Sequence, residues 1–508
     1  MVAQKELELK FEVEPSAWRL LKKNQRIKAL NKRAVQTAED SVYFDTKKHK
    51  LHKKGILLRV RRIGKTHVQT IKATGNSASI ERDEWETEVF GAEPDLAIID
   101  GTPFEKLITK KIRRRLEPVF QTRIRRTTYL LANNQSAIEL TIDRGKIDTG
   151  DNSLPVSELE VELKRGSKGQ LFEVARMLTH GLPAQLNLKA KAERGYELIE
   201  GLKNSSAKAA PVHFPDGCNA REGFHVIGFA CLKQLIDNVP ALNKTDPEGV
   251  HQMRVGVRRL RVAMSLFSDL LHDEQTAALK AELKWLAGEL TPAREFEVLT
   301  KRVMTPLKQQ RGKLPNGVSS FSTALERKRK TALARAKDAV ASVRFRKLTF
   351  EVAAWLEIGR WTKPDDDLVR SRGEQPIKVF AREELQQRNR KVRKRGKDLA
   401  QLDAKRRHKL RIQVKKLRYA AEFFGGLFQT KKAAKREKKF TSALEQLQDG
   451  LGDLNDIAVD ERLIASVASQ NKAYAVGLLT GREEAREGEA ISVATQGYSK
   501  ITKVKPFW

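Results

Sequence analysis

The chain has 508 residues, 40% hydrophobic and 32% charged, with a formal net charge of +34 at pH 7. That length gives two to four domains, each able to bury a core, and no stretch approaches the roughly 20 apolar residues of a bilayer span. An excess of cations this large repels itself in a compact state unless anions neutralise it, so a polyanion is the expected partner: nucleic acid, an anionic membrane or polyphosphate.

Residues 1–200 carry 38 Lys and Arg against 28 Asp and Glu, and the remaining 308 carry 60 against 36, so most of the excess lies in the second part. Two cysteines, Cys218 and Cys231, make neither a disulfide framework nor a metal knuckle. The first residues, MVAQKELELKFEV, are charged and alternating, unlike a leader with a basic start and an apolar run. The cytoplasm is the expected compartment.

From the first residue to about 200, short alternating runs dominate: ELELKFEV, GILLRVRRIG, HVQTIKA, IERDEWETEV, VFQTRIRRTTYLL, SAIELTIDRG and VSELEVELKRG. They are separated by Gly, Asn and Asp, and read as strands; SAWRLLKKN and QLFEVARMLTHGL fit helices. The alternation splits the faces. Glu6, Glu8 and Lys10 oppose Leu7, Leu9 and Phe11; Arg59 and Arg61 oppose Leu58 and Val60; Thr70 and Lys72 oppose Ile71. Arg82, Glu84 and Glu86 share a face, as do Glu139 and Asp143; Arg123 and Arg125 oppose Ile124, and Glu158, Glu160 and Glu162 oppose Leu159, Val161 and Leu163. An antiparallel sheet with one wet face explains alternation by itself. The choice of residues goes further, because the polar positions are almost all ionised, with acids and bases largely on separate strands. Curled with that face inward, such a sheet presents Arg and Lys to an oligophosphate and carboxylates to a hard cation such as Mg²⁺.

The motifs E-x-E-x-K (Glu6, Glu8, Lys10), YFDT (43–46), LLRVRR (57–62), QTIK (69–72), the R-x-E-x-E strand at Arg82, ELEVEL and KAKAERGYEL occur in this order. Over about residues 1–200 this resembles a CYTH domain, or triphosphate tunnel metalloenzyme. The resemblance implies an eight-stranded antiparallel tunnel that binds triphosphate end-on and hydrolyses it with Mg²⁺ or Mn²⁺. By position, it implies Glu6, Glu8, Glu160 and Glu162 as metal ligands and, with Lys10, as the catalytic set. Lys10, Arg59, Arg61, Lys72, Arg82, Arg123, Arg125, Lys189 and Lys191 would grip phosphate oxygens. Glu84, Glu86, Glu139 and Asp143 would line the same tunnel, with Glu158 at the rim or within. A water oriented by one of the Glu6/Glu8 or Glu160/Glu162 carboxylates would attack a terminal phosphorus in line.

NSSAKAAPVHFPDG (204–217) reads as a linker, so the expected boundaries are 1–203 for the tunnel domain, 204–221 for the linker and 222–500 for a helical domain. Its amphipathic segments run from FHVIGFACLKQLIDNV to FTSALEQLQDGLG, broken by KPDDDLVRSRGEQPI at 363–377 into halves of about 222–362 and 377–500. HQMRVGVRRLR (251–261) and HKLRIQVKKLR (408–418) repeat one spacing. On a helix, His251, Arg254, Arg258 and Arg261 form one stripe, and His408, Arg411, Lys415 and Arg418 another; Arg259 and Lys416 lie off it. WLAGELTPAREFEVL (285–299) also aligns with QLQDGLGDLNDIAVD (446–460), pairing Leu286 with Leu447, Glu295 with Asp456 and Arg294 with Asn455. A solvated basic face needs no fixed spacing, so its duplication points to two stripes turned toward one groove, which suits a linear chain of phosphates.

These paired motifs and LGDLNDIAVD resemble a CHAD domain, over about 222–500. That implies a pair of four-helix bundles related by a pseudo-twofold axis and a basic channel for inorganic polyphosphate, contacted by the eight stripe residues with Tyr419 as a lesser candidate. RKVRKRGK (390–397) and KKAAKREKK (431–439) read as flanking electrostatic surface. The expected fold class is therefore α+β in two domains, and the combination resembles bacterial inorganic triphosphatases: hydrolysis of inorganic tripolyphosphate to pyrophosphate and phosphate, with association with polyphosphate granules. Two alternatives stand beside it. An adenylate cyclase or thiamine-triphosphatase would place aromatics at the tunnel mouth, where Trp85 is the one candidate. A nucleic-acid-binding protein would interleave aromatics with the basic stripe, which is not seen; neither nucleic acid nor membrane is the expected specific ligand.

Overall fold

A computed structural model describes the chain apart from residues 1–3, 24–33, 74–79, 101, 203, 306–316 and 468–472. It forms two compact units, residues 1–205 with 346–359, and residues 206–345 with 360–508. The strands are β1 (Gln4–Val13), β2 (Val35–Asp45), β3 (Ile56–Ile63), β4 (Thr66–Ala73), β5 (Glu81–Val89), β6 (Glu117–Ala132), β7 (Ala137–Asp148), β8 (Ser153–Arg165) and β9 (Ala184–Asn187). The longer helices are α1 (Lys168–Thr179), α2 (Lys191–Ile199), α3 (Ala220–Asp237), α4 (Pro247–Leu266), α5 (Glu274–Leu299), α6 (Val318–Ala341), α7 (Val343–Ile358), α8 (Ile377–Arg395), α9 (Ala404–Phe424), α10 (Lys431–Ala465), α11 (Ala473–Glu484) and α12 (Glu487–Lys503). No described helix is long and apolar enough to cross a membrane.

In the first unit the sheet runs β5-β4-β3-β2-β6-β7-β8-β1, and β1 pairs back onto β5, so eight antiparallel strands close a ring; short β9 adds beside β1. Closure leaves no ladder unpaired around the ring. β2 is absent from the runs expected above because its outward positions, Ala38, Asp40 and Val42, are not uniformly apolar. Elsewhere the apolar face turns outward and is roofed over. Leu58, Val60 and Ile71 pack under Ile99, Phe104 and Ile108. Phe11 of β1 meets Phe350 at 6.0 Å between ring centroids, and Phe350 meets Phe172 of α1 at 5.8 Å. Phe350 lies on α7, which the sequence pattern groups with the helical domain. From Arg346 onward α7 belongs to the tunnel unit, fixed by Lys168–Glu357 at 2.8 Å and Arg176–Glu351 at 2.9 Å. An amphipathic period states that a helix covers an apolar surface; it does not state which one.

In the second unit α3, α4, α5 and α6 pack in succession, and α8, α9, α10 and α12 repeat the order. Between these two sets α3 meets α8, α4 meets α9 and α5 meets α10. Each helix thus touches its own counterpart, which is what a twofold operation produces. The off-stripe cations explain themselves here. Arg259 of α4 pairs with Glu422 of α9 at 2.9 Å, and Lys416 of α9 donates to Ser265 Oγ of α4 at 2.9 Å. Arg259 and Lys416 occupy equivalent positions, as do Ser265 and Glu422, so the two contacts are one contact made twice across the axis. Within 363–377, Asp366 caps a helix from Asp367 to Glu374.

α10 and α12 approach so closely that a Cβ on Gly497 would collide with the backbone of Leu447, and one on Gly450 with the backbone of Ala494. Gly497→Ala is expected to lower stability by about 1–3 kcal/mol, read as a lower midpoint in thermal unfolding.

Candidate functional site

The ring encloses a cavity of about 230 Å³. Its walls carry Glu6, Glu8 and Lys10 from β1, Arg59 and Arg61 from β3, Lys72 from β4, Glu84 and Glu86 from β5, and Glu160 and Glu162 from β8. Lys191, the first residue of α2, reaches in as well, so the positive end of that helix faces the cavity. At one side the lining turns apolar, with Leu57, Ile124 and Ala192 belonging to a core cluster that includes Tyr43, Phe120 and Tyr196.

Three expected phosphate ligands do not line this cavity. Arg123 and Arg125 are exposed on the outer face of β6, and Arg126 takes the inward position together with Thr122 and Ile124. Ile124 is apolar yet points inward, where it joins the packed side of the cavity, and that reverses the face assignment for the whole strand. Lys189 lies outside the lining and pairs with Glu197 at 2.6 Å. Arg82 sits opposite Glu6 in the ladder, and its side chain falls outside the described residues. Glu158 is buried behind the wall, against Lys191 and Arg194. Glu139 and Asp143 of β7 line the cavity as expected, and Glu39, Ser41 and Tyr43 of β2, Arg126, Lys164 and Ala190 complete the lining; the period-two row Thr37, Glu39, Ser41, Tyr43 is the signal for the β2 residues.

The charges fall into two groups. In the inner group Lys191 Nζ lies 2.8, 2.8 and 2.7 Å from carboxylate oxygens of Asp143, Glu158 and Glu160, and Arg126 grips Asp143 with two bonds of 2.7 and 2.6 Å. Burial disfavours the Glu160 carboxylate, but Lys191, Lys10 and Arg126 outweigh it and hold the pKa well below the usual range. The same acids outweigh burial at Lys191 and hold its pKa well above the ordinary lysine value. Asp143, Glu158 and Glu160 also form a cluster of potential metal-ligand oxygens within 4.8 Å of one another, with the Lys191 ammonium already bonded to all three.

The outer group is less well matched. Glu162 stands directly across from Glu8 on one side and Glu139 on the other, an arrangement of like charges that costs stability. Burial, then Glu6 and Glu139, push its carboxyl up to about 7 against the pull of Lys164 at 2.6 Å. Carboxylate oxygens in such a row suit a hard divalent cation. Arg59 and Arg61 meet the carboxylates of Glu39, Glu84 and Glu86 only at long distances of 3.2–3.5 Å, and Arg59 also bonds the Tyr43 side chain. Lys72 bridges Glu6 and Glu84 at 2.9 and 2.7 Å, and Lys10 pairs with Glu8 at 2.7 Å.

In the helical unit Arg254 and Arg258 of α4 lie within electrostatic reach of Arg411 and Lys415 of α9, so these four cations from the two stripes come together. Burial first, then Arg258 and Arg411, lower Lys415 to about 6. Burial and then Arg258 lower Arg254 to about 10, and burial with Arg294 lowers His251 to about 4. Few carboxylates answer these cations: Asp456 comes to 4.0 Å from Arg411, and Glu295 acts on Arg254. Arg261, last of the α4 stripe, and His408, first of the α9 stripe, are exposed, while Arg418 is half-buried over the ring of Tyr419 at 4.9 Å. Tyr419 itself is buried, which removes it as a ligand contact. Arg294 belongs to the groove's surroundings; its alignment with Asn455 had hidden it.

Two family models match the chain, the CYTH domain over residues 4–196 and the CHAD domain over 227–465. An inorganic triphosphatase of Haemophilus influenzae is 34% identical over 162 residues, which are 31% of this chain and 45% of that protein, so the match spans less than half of the curated relative. The crystal structure of the CHAD domain from the plant Ricinus communis is 28% identical with a TM-score of 0.50, over 58% of this chain and 96% of that one. The closed ring with an ionised interior and the twofold pair of helix bundles accordingly have names: the chain carries a CYTH domain followed by a CHAD domain.

Proposed function

We propose that the tunnel hydrolyses inorganic tripolyphosphate to pyrophosphate and phosphate with a divalent cation, and that the groove of the helical unit holds inorganic polyphosphate. The observation that carries this reading is the row Glu8, Glu162, Glu139, with Glu6 beside it, set next to arginines whose carboxylate contacts are long, at 3.2–3.5 Å. Glu6, Glu8, Glu139 and Glu162 would hold Mg²⁺ or Mn²⁺, which when bound neutralises phosphate oxygens and orients them.

The chain's own residues supply the rest. Arg59 and Arg61 exchange long carboxylate contacts for short charge-assisted bonds to phosphate oxygens. Lys72 and Lys10 add point charges where negative charge grows on the leaving group. Lys191 and Arg126, already saturated, keep Glu160 ionised and fixed. The apolar side of the cavity excludes water from the inner phosphate. Trp85 packs outward against Phe104 at 4.8 Å, so it offers no platform for a base or a thiazolium, and this favours a substrate made only of phosphate.

The test is a phosphate-release panel with tripolyphosphate, long-chain polyphosphate, ATP and thiamine triphosphate, each with Mg²⁺ and with EDTA. Tripolyphosphate is expected to be turned over fastest, and only with the cation. Faster release from ATP or thiamine triphosphate would replace this reading with an organic-triphosphate enzyme.

A further inference from the structure

Outside the tunnel, the first unit has a pocket of about 430 Å³ where the turn after β2 meets the loop before β6. Lys47, Lys48 and Lys50 line it from one side and Arg114 and Arg115 from the other, with Glu117 as the single acid. Among the described residues none of these five cations makes an ion pair. Like charges brought together without counter-charges cost stability, so their convergence asks for a ligand.

The frame that carries them is fixed. Asp45 is fully buried, and its carboxylate accepts from the backbone N–H groups of Thr46, Leu51 and His52 at 2.6, 2.8 and 3.0 Å and from the Tyr196 hydroxyl at 3.0 Å. This locks the turn that bears the three lysines. On the other side Arg113 donates to the carbonyls of Ile108 and Leu96, both at 3.0 Å, and pairs with Asp100 at 2.5 Å, which anchors the chain just before Arg114. Five cations on an ordered frame are preorganised, and little ordering is left to be done on binding.

From this pocket we infer a further anion site that takes a short run of condensed phosphate, separately from the tunnel and the groove. Five cations against one carboxylate match an anion of several charges, beyond a single sulfate or chloride. The remaining lining residues, Thr46 and Leu116, are not aromatic, so no surface is offered on which a nucleobase would stack. The run of phosphates is either a free oligophosphate or the end of a longer chain.

Lysine acylation in the full-length protein, read by peptide mass spectrometry at physiological salt, tests this. Tripolyphosphate is expected to slow acylation of Lys47, Lys48 and Lys50 on the order of ten-fold, while Lys54, whose ammonium is bonded to the Leu107 carbonyl outside the pocket, reacts as before. Long polyphosphate protecting at equal end concentration identifies chain ends as ligands; protection by tripolyphosphate alone identifies free oligophosphate. Arg114→Ala with Arg115→Ala, two exposed positions, should raise the tripolyphosphate concentration needed by roughly ten-fold. Equal protection by sulfate at matched ionic strength or by oligothymidylate at equal phosphate, or loss of reactivity at Lys54 as well, overturns the site. Should the arginine variant not fold, the wild-type comparison with sulfate decides alone.

Discussion

Glu162→Gln is expected to cut tripolyphosphate turnover by roughly 100-fold or more while leaving the thermal midpoint of the cation-free protein unchanged or higher. The two outcomes follow from one arrangement. Glu162 faces Glu8 and Glu139 across adjacent ladders, and its carboxyl is pushed up to about 7 by burial together with Glu6 and Glu139. An amide of the same shape ends that repulsion and can donate a hydrogen bond to a neighbouring carboxylate, so the empty fold gains. A divalent cation loses a charged ligand, so the concentration of Mg²⁺ needed for half-maximal activity rises. Phosphate release across a Mg²⁺ titration, paired with melting in EDTA, separates this from a structural role. Were Glu162 only part of the wall, turnover and melting temperature would fall together.

Glu160→Gln is the contrasting change. Glu160 is bonded to Lys191 and Arg126 at 2.7 and 3.0 Å and lies 3.5 Å from Lys10, so neutralising it strips charge from a buried network that is otherwise balanced. Removing one partner of such a set is destabilising because it leaves the others buried and unpaired. The two carboxylates, two residues apart on one strand, thus differ in kind: one supports the fold, the other opposes it.

That difference could not be seen in the sequence, where Glu158, Glu160 and Glu162 form an even row. The alternation of β1 and β8 gave the inward faces, because each has charged residues on one side and mostly aliphatic residues on the other, and single inward cations, Arg59, Arg61 and Lys72, marked β3 and β4. It failed on β6, where inward Ile124 and outward Arg123 and Arg125 invert the usual meaning of the pattern. It also passed over β2, whose Glu39 is buried in the lining. Face assignment needs register, and register is set by the partner strands rather than by the strand itself. The helical unit shows the complementary case. The duplicated spacing marked both stripes, and it also carried Arg259 and Lys416, which serve the twofold contact and not the groove. A repeat records everything that symmetry preserves, ligand contacts and subunit-like packing alike. The sequence groups α7 with the helical segments around it, whereas its residues from Arg346 onward pack with the tunnel unit; periodicity reports burial without naming the neighbour.

Arg254→Ala combined with Arg411→Ala is expected to weaken binding of long-chain polyphosphate by roughly 100-fold or more and to leave tripolyphosphate turnover in the tunnel intact. Arg254 and Arg411 lie on opposite halves of the groove, so their loss should reduce the salt dependence of binding by about two phosphate contacts. Lys415 adds a pH signature. Its value of about 6 results from burial and from Arg258, Arg411 and Arg254, opposed only by Asp456. Between about 6 and the ordinary lysine value near 10.4 the unfolded chain holds a proton that the empty folded groove lacks. The ligand-free unit therefore gains stability as pH rises through that window. Phosphates in the groove reverse the balance, because their charge favours the ammonium; binding takes up a proton, and affinity falls as pH rises. Titrations at about pH 7.5 and about pH 9, above the histidine range, should show that fall, with proton uptake visible as a buffer-dependent heat. Lys415→Arg keeps the cation at both pH values, so it should retain binding and flatten the pH dependence. A wild-type affinity that does not change over this interval would mean that Lys415 does not meet the phosphate chain.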